Sequence, residues 1–264
     1  MRSACLTPTF RRAALVAGVI LSTVACSDDT TAPTPAPRVP AGISAVDNPD
    51  LLKLIHFLPP VIDGKIGQNE WAGAATASFM ATLPGGAGQT PVIVYIKRDK
   101  TFLYLATVFD RMSPFHEFDR VAFEFDADND GKPENGDDIV FIGAAGTQNV
   151  QRPTFDFYRF QGGAYNQGDI ADGGTTDAVG AWGATGTKAV FEIRHPLNSA
   201  DNAHDISIDP SNGPVTVGLK AMLQLEEEPA GSYIVARTYL ANGKYCKLTI
   251  GQYNSVSLGC PAPA

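Results

Sequence analysis

The chain has 264 residues, 18% of them charged and 44% hydrophobic, with a formal net charge of −8. That length allows one large domain or two small ones. The acidic balance argues against a nucleic-acid surface and against a polybasic membrane contact, both of which need clustered cations.

The first residues read as a leader. Residues 1–12 carry Arg2, Arg11 and Arg12 and no acid, and residues 13–25 form an apolar run. The run is too short to span a bilayer but suits the core of a signal peptide. Removing residues 1–25 would take away three cations and no acid, so the net charge of −8 would become −11. Thr23-Val24-Ala25 followed by Cys26 resembles a bacterial lipoprotein box, with Thr23 where leucine is usual. This predicts an exported outer-membrane lipoprotein, lipidated on Cys26 and touching the membrane only through that anchor. Plain secretion is the alternative. Residues 26–46 form a Thr/Pro/Ala-rich tether, a composition that cannot bury apolar surface and stays extended. A single domain over residues 47–264 follows.

Within that domain, a short helical turn is expected after Asn48-Pro49, with His56 packing. Residues 61–71 suggest a short strand, an Asp-Gly turn and Trp71, which reads as core. Residues 74–82 read as a strand and 84–90 as a glycine-rich loop. Residues 92–97 and 101–109 alternate and are rich in β-branched and aromatic residues, the pattern of a hairpin. Strands follow at 120–125, 139–143 and 155–160. Residues 161–186 read as a long polar loop containing Trp182. Residues 188–197, 215–226, 232–240 and 246–251 complete the strands. Ten or eleven short strands with almost no helical periodicity predict an all-β antiparallel sandwich.

The strongest motif joins two of these strands. Asp126, Asp128 and Asp130 alternate, Gly131 follows, and Asp137 stands eleven positions after Asp126. This is the spacing of a calcium loop with ligands at positions 1, 3, 5 and 12 and glycine at 6. Lys132 would supply its backbone carbonyl, and Glu134 would bind directly or through water. Asp137 stands where glutamate is usual, and no amphipathic helix flanks the loop. Five like charges in one turn would repel one another without a cation. The expected cofactor is therefore a structural Ca2+ locking a β-hairpin.

Four cysteines are present. Cys5 lies in the leader and Cys26 is the lipidation candidate, which leaves Cys246 and Cys260. An even pair in an exported protein predicts a disulfide. No CxxC or clustered histidine accompanies them, so zinc is disfavoured.

Ile62-Asp63-Gly64, Glu70-Trp71, the hairpin at 92–109 and the run Asp119–Asp126 resemble the family 9 carbohydrate-binding module, one of the DOMON-like sandwiches. The resemblance implies a jelly-roll-like β-sandwich, structural calcium, and a poly- or oligosaccharide held between aromatic rings. Trp182 is then the candidate for stacking on a sugar, with Tyr158, Arg159 and Tyr165 contributing from the same region. The other branch of the fold implies a haem-b electron-transfer module, for which Met80, Met112, His116, Lys220 and Met222 are available. A structural or interaction lipoprotein without a small ligand is a third reading.

No G-x-S-x-G or H-E-x-x-H is present, so no catalytic site is expected. Residues 195–205 hold His195, Asp201, His204 and Asp205. A transition metal is conceivable there, but a turn capped by Asp201 or Asn202 fits better.

Overall fold

A computed structural model of the chain describes residues 58–262, except 68, 112–114, 202 and 228–233, and only the backbone of Tyr165. The leader, Cys26, the tether, the turn after Asn48, His56 and Met112 lie outside the described residues. The described residues form two antiparallel sheets and single 3-10 turns. Among them no helix is long and apolar enough to cross a membrane.

The first sheet has the order β1-β2-β3-β10-β9-β6. Its strands are β1 (Ala75–Thr82), β2 (Gln89–Arg98), β3 (Phe102–Asp110), β6 (Arg152–Pro153), β9 (Val179–Thr185) and β10 (Lys188–Pro196). The second runs β14-β13-β11-β4-β5-β7-β8, with β12 paired to β11. Its strands are β4 (Arg120–Asp126), β5 (Asp138–Gly143), β7 (Phe155–Phe160), β8 (Tyr165–Gly168), β11 (Val215–Glu227), β12 (Ile234–Tyr239), β13 (Cys246–Ile250) and β14 (Val256–Gly259). β11 is long enough to pair with β13 along its first half and β12 along its second.

Strand periodicity explains how the faces divide. β1 alternates between half-buried and exposed residues, as a strand with one solvated face should. β3 is almost continuously buried because both its faces are covered. Its inner face places Leu103, Leu105 and Phe109 in the main core with Phe123, Phe125, Ile142, Phe191, Leu219 and Leu223. Its outer face packs Tyr104 and Ala106 beneath Ile62 and Trp71.

That outer layer gives the opening motif its physical meaning. Glu192 is buried on β10 and accepts from Asp63 N (3.0 Å), Gly64 N (2.8 Å) and Trp71 Nε1 (3.3 Å). Burial outweighs these three donors and pushes the Glu192 carboxyl up to about 8. Gly64 adopts φ +76°, and a Cβ there would stand 2.5 Å from the Trp182 carbonyl. Trp71 is core, as expected.

Several sequence expectations change. Residues 61–66 form bends rather than a short strand. The polar stretch 161–186 is not one loop, since it carries β8 and β9. Gly162, Gly173 and Gly186 do make turns, whereas Gly180 and Gly183 lie within β9 and serve close packing. A Cβ on Gly180 would lie 2.8 Å from the Glu192 carbonyl oxygen and 2.9 Å from Ile142 Cδ1. β14 was not expected. The expected disulfide is present, joining Cys246 at the start of β13 to Cys260 just after β14.

Candidate functional site

The acidic loop connects β4 to β5. One carboxylate oxygen from each of Asp126, Asp128 and Asp130 lies within 4.8 Å of the other two. That separation suits oxygens around one calcium at 2.3–2.6 Å. Gly131 takes φ +87°, the left-handed turn expected at position 6. The same carboxylates also hold the loop's backbone. Asp126 accepts from Asn129 N and Gly131 N, both at 2.8 Å, and Asp128 accepts from Asp130 N at 3.0 Å. Burial, then Asp128, raises the Asp126 carboxyl above its usual range.

The remaining expected ligands stand differently. Asp137 turns both oxygens to backbone, accepting from Ala127 N (3.2 Å) and Glu134 N (2.8 Å). Burial pushes its carboxyl up to about 6. Glu134 contributes that N–H and is exposed, and it does not join the converging set. Lys132 places its ammonium 2.5 Å from Asp130 Oδ2. The structure therefore gathers the carboxylates of Asp126, Asp128 and Asp130 among the expected ligands. The β7–β8 turn buttresses the loop through Gly162 N, which donates to Asn135 Oδ1 at 2.7 Å.

A second site occupies the outer face of the second sheet, a groove of about 410 Å3. Register assembles it. Tyr239, Met222, Ala122, Phe141 and Phe155 stand in one cross-strand row, on β12, β11, β4, β5 and β7. The next row holds Lys220, Glu124, Ile139 and Phe157. The Phe141 ring lies beside Phe155 (4.7 Å, 14°) and Phe157 (5.4 Å, 16°), nearly parallel to each. Phe155 is 55% exposed.

Polar groups crowd beside the rings. Glu124 Oε1 accepts from Arg159 Nη2 (2.7 Å) and Tyr245 Oη (2.6 Å), while Oε2 accepts from Lys220 Nζ (3.3 Å). Gln224 Oε1 accepts from Arg120 Nη2 (2.9 Å) and Arg237 Nε (2.7 Å). Burial, then the neighbouring Arg237 charge, lowers the Arg120 pKa. A larger cleft of about 990 Å3 beside residues 58–70 is lined by aliphatic and polar side chains, with no aromatic ring among the described residues.

Among the sequence-chosen ligand residues whose side chains are described, Arg159 lines this groove and Trp182 and Tyr158 do not. Trp182 is corrected. It lies on β9 opposite Phe191, is 4% exposed, packs its ring 4.9 Å from Phe115 and donates Nε1 to the Ala145 carbonyl at 3.2 Å. Its faces are used by the core and cannot stack on a sugar. Tyr158 sits on the opposite face of β7 from Arg159, with its hydroxyl 2.5 Å from Asp172 Oδ2 and its ring 5.0 Å from His204. Tyr165 pairs with Phe160 on the β7–β8 ladder. Sequence reading missed Phe141, Phe155 and Phe157, although the F-D-F alternation at 155–157 puts two rings on one face of a strand.

Among the described haem-ligand candidates, Lys220, Met222 and Met80 do not oppose one another across a site. Lys220 is held by Glu124 and lies 3.9 Å from the Tyr245 ring centroid. Met222 follows it on the same face of the same strand. Met80 is exposed on β1 in the other sheet.

No protein-family model matches the chain, and no curated protein matches it. Among solved structures, the chain is similar to a family 9 carbohydrate-binding module from Caldicellulosiruptor kristjanssonii in complex with cellotriose. That likeness has 15% identity and a TM-score of 0.45, covering 79% of this chain and 94% of that one. A family 9 module from the same organism in complex with glucose is similar at 13% identity and a TM-score of 0.40, over 79% of this chain and 96% of that one.

Proposed function

We propose that this protein is a non-catalytic saccharide-binding domain, exported and lipid-anchored through Cys26, with calcium on its acidic loop. The groove on the second sheet is the binding site. The observation that carries this reading is the pair of near-parallel rings lining the groove, Phe141 and Phe157, flanked by the exposed Phe155 and set beside charged hydrogen-bonding groups. A pyranose presents an apolar C–H face and a rim of hydroxyls. Ring faces cover the first, and fixed donors and acceptors orient the second. Glu124 is the acceptor in the groove lining, and Arg159, Lys220, Arg120 and Arg237 are donors.

The charge in the groove refines the ligand class. Four cationic side chains line it against the single carboxylate of Glu124, although the whole chain is acidic. Arg120 and Arg237 share one neutral acceptor, Gln224 Oε1. Guanidinium groups so placed favour a carboxylate, so the proposed ligand is an acidic oligosaccharide of the uronate type.

The calcium reading rests on the convergence of Asp126, Asp128 and Asp130. The anchor rests on the leader and on Cys26. The test uses the intact protein against polygalacturonate, alginate and neutral cello-oligosaccharides. Tight binding to a uronate polymer, lost in Phe157→Ala, is expected. Failure to bind any of these ligands, with or without calcium, would overturn the reading.

A further inference from the structure

A second acidic assembly lies inside the sandwich, apart from the loop and the groove. Asp138 begins β5, Asp156 lies on β7, Asp169 opens the 3-10 turn Asp169–Asp172, and Asp205 follows β10. All four are at least nine-tenths buried. One oxygen from each of Asp138, Asp156 and Asp205 falls within 4.8 Å of the other two, and Asp205 also converges with Asp169 and Asp201. Asp201 is already engaged, by His204 Nδ1 at 2.7 Å and Thr175 N at 2.8 Å.

These carboxylates lack what buried carboxylates need. Both oxygens of Asp156, both of Asp169, Asp138 Oδ1 and Asp205 Oδ1 have no hydrogen-bond partner among the described residues. Asp205 Oδ2 alone receives a hydroxyl, from Ser199 at 2.5 Å. The loop carboxylates, by contrast, are capped by backbone N–H groups. Buried charge without donors is among the most costly arrangements a fold can hold.

A cation of the protein's own faces Asp138, in addition to His204 near Asp169. His195 is fully buried, its Nδ1 donating to the Pro196 carbonyl at 2.6 Å and its Nε2 3.1 Å from Asp138 Oδ2. With Nδ1 bearing a proton for the carbonyl, Nε2 needs a second proton to meet a carboxylate, so the ring is an imidazolium. Even two positive rings against four carboxylates leave an excess of negative charge. Asp177, which acts on both His195 and Asp205, adds to it. Burial and then the mutual repulsion of these groups raise the carboxyls of Asp156 and Asp169.

We infer that Asp138, Asp156, Asp169 and Asp205 bind a calcium ion between the two sheets, separate from the ion of the acidic loop. The donors are all oxygen and come from four segments of chain; those of Asp138, Asp156 and Asp205 converge at calcium spacing, and Asp169 joins them through its approach to Asp205, which suits a hard cation with six to eight ligands. Both imidazole nitrogens of His195 are engaged, so this ring orients Asp138 rather than ligating. The ion would tie β5 and β7 of the second sheet to the segments that precede β9 and follow β10 of the first.

Equilibrium dialysis of the chelated, intact protein against calcium alone tests this. Wild type should bind two ions per chain, Asp128→Ala one, and Asp128→Ala with Asp156→Asn none. If wild type and Asp128→Ala each bind one and Asp156→Asn binds none, the buried site stands and the loop reading fails. If Asp128→Ala binds none, the buried site is overturned. A melting curve of Asp156→Asn is the second measurement. Removing one unpaired charge should raise the melting temperature in chelator and lower it in calcium, relative to wild type. A rise in both media would mean the cluster is merely repulsive and would refute the site.

Discussion

The two acidic assemblies are neighbours in the chain, ending and beginning at Asp137 and Asp138, yet they solve the problem of crowded charge differently. In the loop, Asp126, Asp128, Asp130 and Asp137 accept backbone N–H groups within their own turn. Solvent also screens Asp128 and Asp130, whereas Asp126 and Asp137 are buried and rely on those donors. In the interior, Asp156 and Asp169 accept nothing among the described residues, and His195 at Asp138 and His204 near Asp169 offset part of the charge. Local hydrogen bonds can therefore keep the loop folded without metal, whereas the interior depends on a cation. Equal numbers of carboxylates do not imply equal dependence on calcium. Dependence is set by how many donors the fold supplies to each oxygen.

The largest expected effect is calcium removal from the wild-type protein. Saturating an ion at a thousand times its dissociation constant stabilises the folded state by about 4 kcal/mol. For a domain of this size that corresponds to roughly 8–16 °C in melting temperature. Differential scanning calorimetry with and without chelator would measure it. A shift of no more than a degree or two would mean that neither assembly relies on metal.

Glu192 sharpens the comparison because it is a buried carboxylate that does have donors. Its folded carboxyl is raised to about 8 from an ordinary 4.5, so it keeps its proton where the unfolded chain has released it. Its contribution therefore falls as pH rises through that window. Melting temperature at saturating calcium should decline by several degrees between pH 5 and pH 8. Glu192→Gln should flatten the decline; an unchanged slope would show that another group governs it.

Phe157→Ala separates binding from metal. Loss of one stacking ring should weaken uronate binding about 10-fold, the equivalent of about 1.4 kcal/mol. The response to chelator should not change. Calorimetric titration distinguishes this from general destabilisation, in which both would move. The smallest effect is expected from Asp128→Ala. Removing an exposed loop ligand should cost about 1 kcal/mol, or roughly 2–4 °C in calcium, and most of the chelator response should survive. If the response disappears with Asp128, the loop and not the interior is the calcium-dependent element.

Much of the architecture was legible. The strands at 74–82, 92–109 and 120–143 were readable because alternation is a local property of the backbone. The calcium-like spacing of Asp126–Gly131 and the pairing of Cys246 with Cys260 were readable for the same reason, since a few nearby residues or a simple inventory define them. The misreading of 161–186 has a physical source. Glycine marks turns in most sequences, but Gly180 is needed where two backbones and the Ile142 side chain approach closely. Trp182 was misplaced with it, because a loop exposes what a central strand buries.

The sequence by itself determined an all-β chain with a leader-like start, an acidic hairpin loop and one disulfide. Only the tertiary structure decided which side chains share a face. The groove exists because register sets Phe141 opposite Phe155 and one row from Phe157 and lays Glu124 beside Lys220. The buried cluster exists because Asp138, Asp156 and Asp205 meet from distant segments, with Asp169 reaching Asp205 from a fourth. Periodicity along a strand is written in neighbouring residues. Proximity across strands depends on pairing and burial, and these belong to the folded chain as a whole.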